Sequence, residues 1–321
     1  MKVVSLFSGA GGLDLGFIKA GHEIVWANDN FKDAVDTYEN NIGKHIHYGD
    51  ITQIPSADVP DHDILIGGFP CQGFSVANTK RGGNDDRNKL YLELLRILND
   101  KKPKFFVAEN VKGILSLGKG EIFQMIIDDF EDAGYNVKFK VLNAADFGVP
   151  QRRERVIIIG VRNDLDLEIA HPQPTHSDKN ANLHKWVTIG SVLKDIPEPE
   201  DTHALTNHTY SKFKLKFNGY IGNRHIDPEK PAPTVTARGD EKGGVVVLHH
   251  PNNHRRMSGR ELALVQSFPI DFIFSGTNSS VYRQIGNAVP PLMAIAIASI
   301  FPLQLTKKRN DSTTDKAIPV I

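Results

Sequence analysis

The chain has 321 residues, with 38 Lys and Arg against 38 Asp and Glu, so its formal net charge is zero. Forty per cent hydrophobic and 24% charged residues allow a sizeable core and exclude global disorder, a collagen-like chain and a coiled coil. A single cysteine excludes an intramolecular disulfide and any multi-cysteine zinc site, and no metal site is predicted.

Strand-like and helix-like segments alternate over the first 170 residues. KVVSLF (2–7) reads as a buried strand, GGLDLGFIKAG (11–21) as a helix, EIVWAND (23–29) as a strand and KDAVDTYENN (32–41) as a helix. DILIGG (63–68) is a strand, and KLYLELLRILND (89–100) carries Leu90, Leu94, Leu95 and Leu98 at helical spacing. KFFVAENV (104–111) is a strand, EIFQMIIDDFEDAG (121–134) a helix, and YNVKFKVL (135–142) and RVIIIGVR (155–162) are strands. This alternation predicts an α/β fold, a doubly wound, mostly parallel sheet with ligands at the carboxyl ends of its strands.

Beyond residue 165 the pattern changes to polar stretches rich in Pro, His and Asn, with no sustained helical period until SGRELALVQSF (258–268). SVYRQIGNAVPPLMAIAIASIF (280–301) resumes apolar periodicity and is predicted to pack back on the first region. The longest apolar stretch, Pro290 to Leu305, is shorter than the roughly 20 residues of a membrane span, and the first residues do not read as a signal peptide. The predicted organisation is a catalytic unit of residues 1–170 plus 281–306, a smaller irregular unit of residues 171–280 and a frayed tail, 307–321. Residues 1–200 carry 23 basic and 29 acidic side chains, residues 201–321 carry 15 and 9, and six of the 13 histidines fall within 201–260. A local basic surface on a neutral chain is a weak nucleic-acid footprint, and a solvated surface gives the same count.

Three places carry chemistry. The first strand runs into the glycine turn SLFSGAGGLDLG, with Asp29 closing the next strand where a ribose hydroxyl would sit. The third glycine of a dinucleotide fingerprint is replaced by Asp14, which suits a nucleoside without a pyrophosphate, such as S-adenosylmethionine; a glycine turn alone serves chain reversal equally well. Cys71 follows DILIGGFP at a strand's carboxyl end, a wasteful place for a core residue and a suitable one for a nucleophile. The polar, glycine-rich stretch behind it, Gln72 to Asn88, reads as an active-site loop. Glu109 interrupts an apolar strand and so needs a partner or solvent. Arg153 and Arg155 in QRRER stand two apart, on one side of a regular extension, and suit a phosphate or a carbonyl oxygen; a surface salt-bridge cluster is the plainer reading.

Six motifs in order, FSGAGGLDLGF (7–17), GGFPCQGFS (67–75), AENVKG (108–113), QRRER (151–155), RHIDPEKPAPT (224–234) and QIGNAVP (284–290), give the chain its resemblance to the DNA (cytosine-5)-methyltransferases of bacterial restriction-modification systems. The resemblance implies a Rossmann-like S-adenosylmethionine-dependent catalytic domain and a smaller target-recognition domain, in a cytoplasmic bacterial enzyme acting on double-stranded DNA, with a cognate restriction endonuclease as a partner in the system. By the same resemblance Cys71, Glu109, Arg153 and Arg155 form the catalytic set. Phe7, Ser8, Gly9, Gly11, Gly12, Leu13, Asp29, Asn30, Asp50, Ile51, Pro70, Leu90, Asn287 and Ala288 form the cofactor site. The family often has a large aromatic where this chain has Asn30, and Phe31 is a candidate substitute. Ser75, Lys212, Lys214, Lys216, Arg224 and Arg238 are the DNA-binding candidates, Arg238 the foremost for a base contact. A tRNA-methylating branch of the family carries a second cysteine motif, against which the single cysteine argues. A nicotinamide-dependent dehydrogenase would need the full glycine fingerprint. A non-catalytic DNA-binding regulator would not need Cys71 and Glu109.

Overall fold

The computed structural model describes residues 1–69, 89–201, 204–212, 214–219, 223–237 and 247–303. Pro70, Cys71, Ser75, Arg238 and the 307–321 tail lie outside the described residues.

The strands are β1 (Lys2–Leu6), β2 (Glu23–Asp29), β3 (Ile46–Tyr48), β4 (Ile64–Gly67), β5 (Phe105–Val111), β6 (Tyr135–Asn143), β7 (Glu154–Arg162), β8 (His176–Ser177) and β9 (His184–Lys185). The helices are α1 (Gly12–Lys19), α2 (Lys32–Asn41), α3 (Lys89–Lys101), α4 (Glu121–Asp132), α5 (Ile189–Leu193), α6 (Gly259–Val265), α7 (Asn278–Asn287) and α8 (Pro291–Ala298). A seven-stranded sheet has the order β3-β2-β1-β4-β5-β7-β6. The first five strands in sequence are mutually parallel, and β7 runs antiparallel to both neighbours. The sheet is therefore mostly parallel and the fold is a doubly wound, Rossmann-like α/β fold, as the alternation predicts. The order reverses between β1 and β4, so the chain leaves a crevice at their carboxyl ends, where ligands of open α/β sheets bind.

Alternating side chains of the central strands divide the core into two layers. Val3, Ile64, Ile66, Phe105 and Val107 pack with Phe17, Val35, Met293 and Ile297 under α1, α2 and α8. Val4, Leu65, Phe106 and Ala108 pack with Leu94, Ile97, Ile126 and Phe130 under α3 and α4. Helix α8 does pack back on the first region. A Cβ on Gly16 of α1 would lie 2.3 Å from the Ala294 Cβ, so glycine lets the two helices touch. The apolar stretch 280–301 is two helices, because Pro290 and Pro291 cannot continue α7 but suit the start of α8.

A third apolar cluster joins Ile189, Ile226, Val235, Leu248, Met257 and Leu262 to the ring trio Phe268, Phe272 and Phe274. Helix α7 gives Val281, Tyr282 and Ile285 to this cluster, so it stands at the join of the two regions. Among the described residues no helix is long and apolar enough to cross a membrane.

Candidate active site

Strand β1 ends in a left-handed turn, with φ of 55° at Phe7, 55° at Gly9 and 82° at Gly11. At Gly11 glycine answers both constraints, since a Cβ there would also lie 2.2 Å from Ile42 Cδ1. The Asp29 carboxylate at the end of β2 holds the turn: it accepts from the Gly9 N–H at 2.8 Å and from the Phe31 N–H at 2.8 Å. Burial raises the Asp29 pKa, and the Phe31 and Gly9 amides and the Arg283 charge oppose that rise.

The turn opens on a cavity of about 560 Å³ at the β1–β4 crevice, a volume that suits a nucleoside-sized ligand. Its wall brings together Phe7, Ser8, Gly9, Gly12 and Leu13 from the first turn, Asp29 and Asn30 after β2, and Asp50 and Ile51 after β3. Leu90 of α3 and Asn287 and Ala288 at the end of α7 complete that set. Gly11 lies behind the turn rather than on the wall, and Pro70 lies outside the described residues. Phe31 and Arg283 also line the cavity, with the Arg283 guanidinium carbon 4.4 Å from the Phe31 ring centroid.

Asp14 sits fully buried below the turn. It accepts from the Ser5 hydroxyl at 2.7 Å and from the Tyr38 hydroxyl at 2.8 Å. Burial pushes its pKa up to about 6, outweighing those two hydrogen bonds. The acid standing at the fingerprint's third glycine is thus a bridge between β1 and α2.

Glu109 faces the same cavity from β5 and is 9% exposed. The partner that a strand-interrupting carboxylate needs is Arg155 of β7, whose Nε lies 2.8 Å from Oε1. Gly68 is what lets the chain leaving β4 pass beside them, since a Cβ there would be 2.9 Å from Glu109 Oε2. The neighbouring Asn110 side chain donates to the Phe69 carbonyl at 2.9 Å, fixing the chain two residues before Cys71. Cys71 itself lies outside the described residues.

Arg153 departs from the expected shared pocket. It lies just before β7, is 1% exposed, and does not line the cavity. Its guanidinium donates to the carbonyls of Val235 (2.9 Å), Gly286 (2.8 Å) and Ala288 (3.0 Å). The two arginines diverge because the chain before Glu154 leaves the regular ladder, keeping only the bond from the Ala144 N–H to the Arg153 carbonyl at 2.9 Å. There Arg152 N–H instead pairs with the Ala232 carbonyl at 2.8 Å. Burial and the neighbouring Arg155 charge lower the Arg153 pKa, and the carbonyls at the end of α7 are what solvate the cation.

Sequence reasoning passed over Gln151, which is fully buried. Its oxygen accepts from the Val235 N–H at 2.8 Å and its amide donates to Gln266 at 2.7 Å. Gln266 in turn donates to the Ile285 carbonyl at 2.6 Å. QRRER, the segment after RHIDPEKPAPT and QIGNAVP are therefore one hydrogen-bonded junction. A Cβ on Gly286 would lie 2.2 Å from the Thr236 carbonyl carbon, so that residue too is set by close approach. Arg283 was legible only after the bounds of α7 were known, since it then stands one turn before Asn287 on the cavity side.

Lys212, Lys214 and Lys216 are solvent-exposed, and Arg224 is half-buried, its Nε buried without a partner among the described residues. Arg238 and Ser75 lie outside the described residues.

The family profile described as C-5 cytosine-specific DNA methylase matches residues 1–301. The chain is 44% identical over 327 residues to the Type II methyltransferase M.NgoFVII of Neisseria gonorrhoeae, covering 94% of this chain and 87% of that one. It is 42% identical over 330 residues to the Type II methyltransferase M.FnuDI of Fusobacterium nucleatum, covering 96% of each. Among solved structures, a prophage-encoded candidate DNA modification methyltransferase from E. coli superposes with a TM-score of 0.73 at 26% identity, covering 93% of this chain and 97% of that one.

Proposed function

The chain belongs to the C-5 cytosine-specific DNA methylases and is a DNA cytosine-5-methyltransferase, and from that premise we propose that it methylates C5 of a cytosine flipped out of a short duplex site, with S-adenosylmethionine as donor and Cys71 as nucleophile. One observation carries the reading: the Glu109–Arg155 pair and the β1 turn face a single cavity. A base held by the first and a nucleoside held by the second would meet there.

The residues present fit such a donor. Asp29, Asp50, Asn287 and Ala288 all line the cavity, and by the resemblance Asp29 would meet the ribose hydroxyls, Asp50 the adenine and Asn287 the methionine end. No Cβ would meet anything within 4 Å at Gly9, so the turn presents bare backbone. When bound, S-adenosylmethionine supplies a methyl group activated by its sulfonium.

Cytosine C5 is too weak a nucleophile to take that methyl unaided. The Cys71 thiolate adds at C6, and the electron pair displaced from the C5–C6 bond makes C5 nucleophilic. Glu109 holds N3 and the exocyclic amine, stabilising the N3-protonated form as charge develops, while Arg155 holds O2. Once C5 carries the methyl group, loss of its proton restores the double bond and expels the thiolate. A stacked base cannot reach Cys71, so the cytosine leaves the duplex first. Arg153 touches no reacting atom in this scheme. It is a positioning residue that fixes the end of α7 and the Val235 segment around the site.

The region 171–280 reads the DNA in this account, with Lys212, Lys214, Lys216, Arg224, Arg238 and Ser75 as contacts to the duplex. The Type II relatives support a protective role in a restriction-modification system, where a cognate endonuclease needs no contact with this chain. Duplex DNA carrying 5-fluorocytosine at the target tests the covalent step, because fluorine at C5 cannot leave as the proton does. A protein–DNA adduct that survives denaturation is expected only with S-adenosylmethionine present and only with Cys71 intact. An equal adduct from Cys71→Ala would contradict the assigned nucleophile.

A further inference from the structure

Phe31 and Arg283 come from distant parts of the chain, the N-cap of α2 and the middle of α7, yet both line the cavity. The guanidinium carbon lies 4.4 Å from the ring centroid, the separation of a stacked cation–π pair. Among the described residues Arg283 makes no salt bridge or hydrogen bond; the Phe31 ring and the charge of nearby Asp29 are what hold it. Arg155, the other arginine on the wall, is by contrast already paired with Glu109.

The position of this pair along the cavity selects what it touches. On the cofactor reading above Asp29 holds the ribose, and Phe31, whose N–H donates to Asp29 Oδ1, stands beside that carboxylate on the cavity wall, where the resemblance puts an aromatic over the purine. Asn30, between them, is exposed and has no ring to cover a purine. Arg283 lies one turn, about 6 Å, before Asn287 on α7, toward Phe31 and away from the end where the donor's amino-acid part would lie.

We propose that Phe31 and Arg283 form one composite wall over the purine nucleoside of the methyl donor, with Arg283 a further binding residue that packs flat on the nucleoside rather than pairing with the donor's carboxylate. A guanidinium plane suits this role because it stacks on aromatic faces while its edge stays hydrated at the cavity mouth. The inference rests on the reading of the cavity as the S-adenosylmethionine site.

The test is calorimetric titration of the full-length protein and its variants with three probes. S-adenosylmethionine and S-adenosylhomocysteine carry the amino-acid carboxylate, whereas 5′-deoxy-5′-methylthioadenosine keeps purine, ribose and thioether and lacks it. Arg283→Ala is expected to weaken all three by a similar factor, roughly tenfold. Phe31→Ala is expected to do the same, and the double variant to lose less than the product of the two single losses. Arg283→Lys keeps the charge without the plane and should recover little.

A loss confined to the two carboxylate-bearing probes would make Arg283 a carboxylate ligand and overturn the wall. Unchanged affinity for all three in Arg283→Ala would overturn it as well. Failure of the unmodified protein to bind any probe would instead contradict the cofactor reading, and the wall would fall with it.

Discussion

Asp14 shows how one residue is legible in type and illegible in role. The sequence places an acid where a dinucleotide fingerprint wants glycine, and so argues against a pyrophosphate. That the acid is buried under the Ser5 and Tyr38 hydroxyls depends on α2 lying across the turn, which no local pattern states. The consequence is a pH dependence. With its folded pKa raised to about 6 from the usual 3.8, the native state holds the proton more tightly than the unfolded chain. The protonated form's advantage is therefore full below the unfolded value and is lost as pH rises through the window between the two. Asp14→Asn, which stays uncharged, should gain stability relative to the parent as pH rises from 4 to 7, by up to about 3 kcal/mol at ~1.4 kcal/mol per pKa unit, and the gain should then level off. Chemical denaturation of both proteins across that range checks it, and a difference independent of pH would contradict the buried-acid account. Glu109 was easier to read, since a carboxylate in an apolar strand demands a partner and Arg155 is that partner. Arg153 was harder, because two-residue spacing places side chains together only inside a regular strand, and Arg153 stands outside one.

Among the elements, the strands and helices of the first region fall where apolar periodicity puts them. Strand β3 escaped because three residues are too few to show a period, and the reversal of β7 escaped because alternation looks the same in either direction. Helix contacts that depend on a missing side chain are equally silent in sequence. At Gly16 two effects oppose each other. Alanine improves helix propensity by about 1 kcal/mol, but its Cβ would fall 2.3 Å from the Ala294 Cβ and 2.5 Å from the Ala294 carbonyl carbon, so α1 and α8 must separate. Overpacking of this kind costs about 1–3 kcal/mol and should win. Gly16→Ala is accordingly expected to unfold at lower urea concentration than the parent. Equal or greater stability would mean that the helices slide apart freely. The closeness of α8 matters for function because Asn287 and Ala288, at the end of the preceding helix, line the cavity.

Across the whole molecule, the neutral charge balance conceals a division between the two parts of the chain. The basic excess lies in residues 201–321, which supply exposed Lys212, Lys214 and Lys216, whereas acidic groups predominate in residues 1–200, which supply most of the cavity wall. Their placement together was legible only through the six motifs in order, because the QRRER, Val235 and QIGNAVP segments meet through contacts more than 80 residues apart in sequence. Gln151 and Arg153 hold that junction, so the start of β7, the Val235 segment and the end of α7 share one frame. The measurement that tests this account most directly is transfer of labelled methyl from S-adenosylmethionine to mixed-sequence duplex DNA, with separation of the product nucleosides and Cys71→Ala run in parallel. The account predicts label in 5-methylcytosine alone, and none with the variant. Label on an exocyclic nitrogen, label in tRNA but not in DNA, or undiminished label with Cys71→Ala would contradict it.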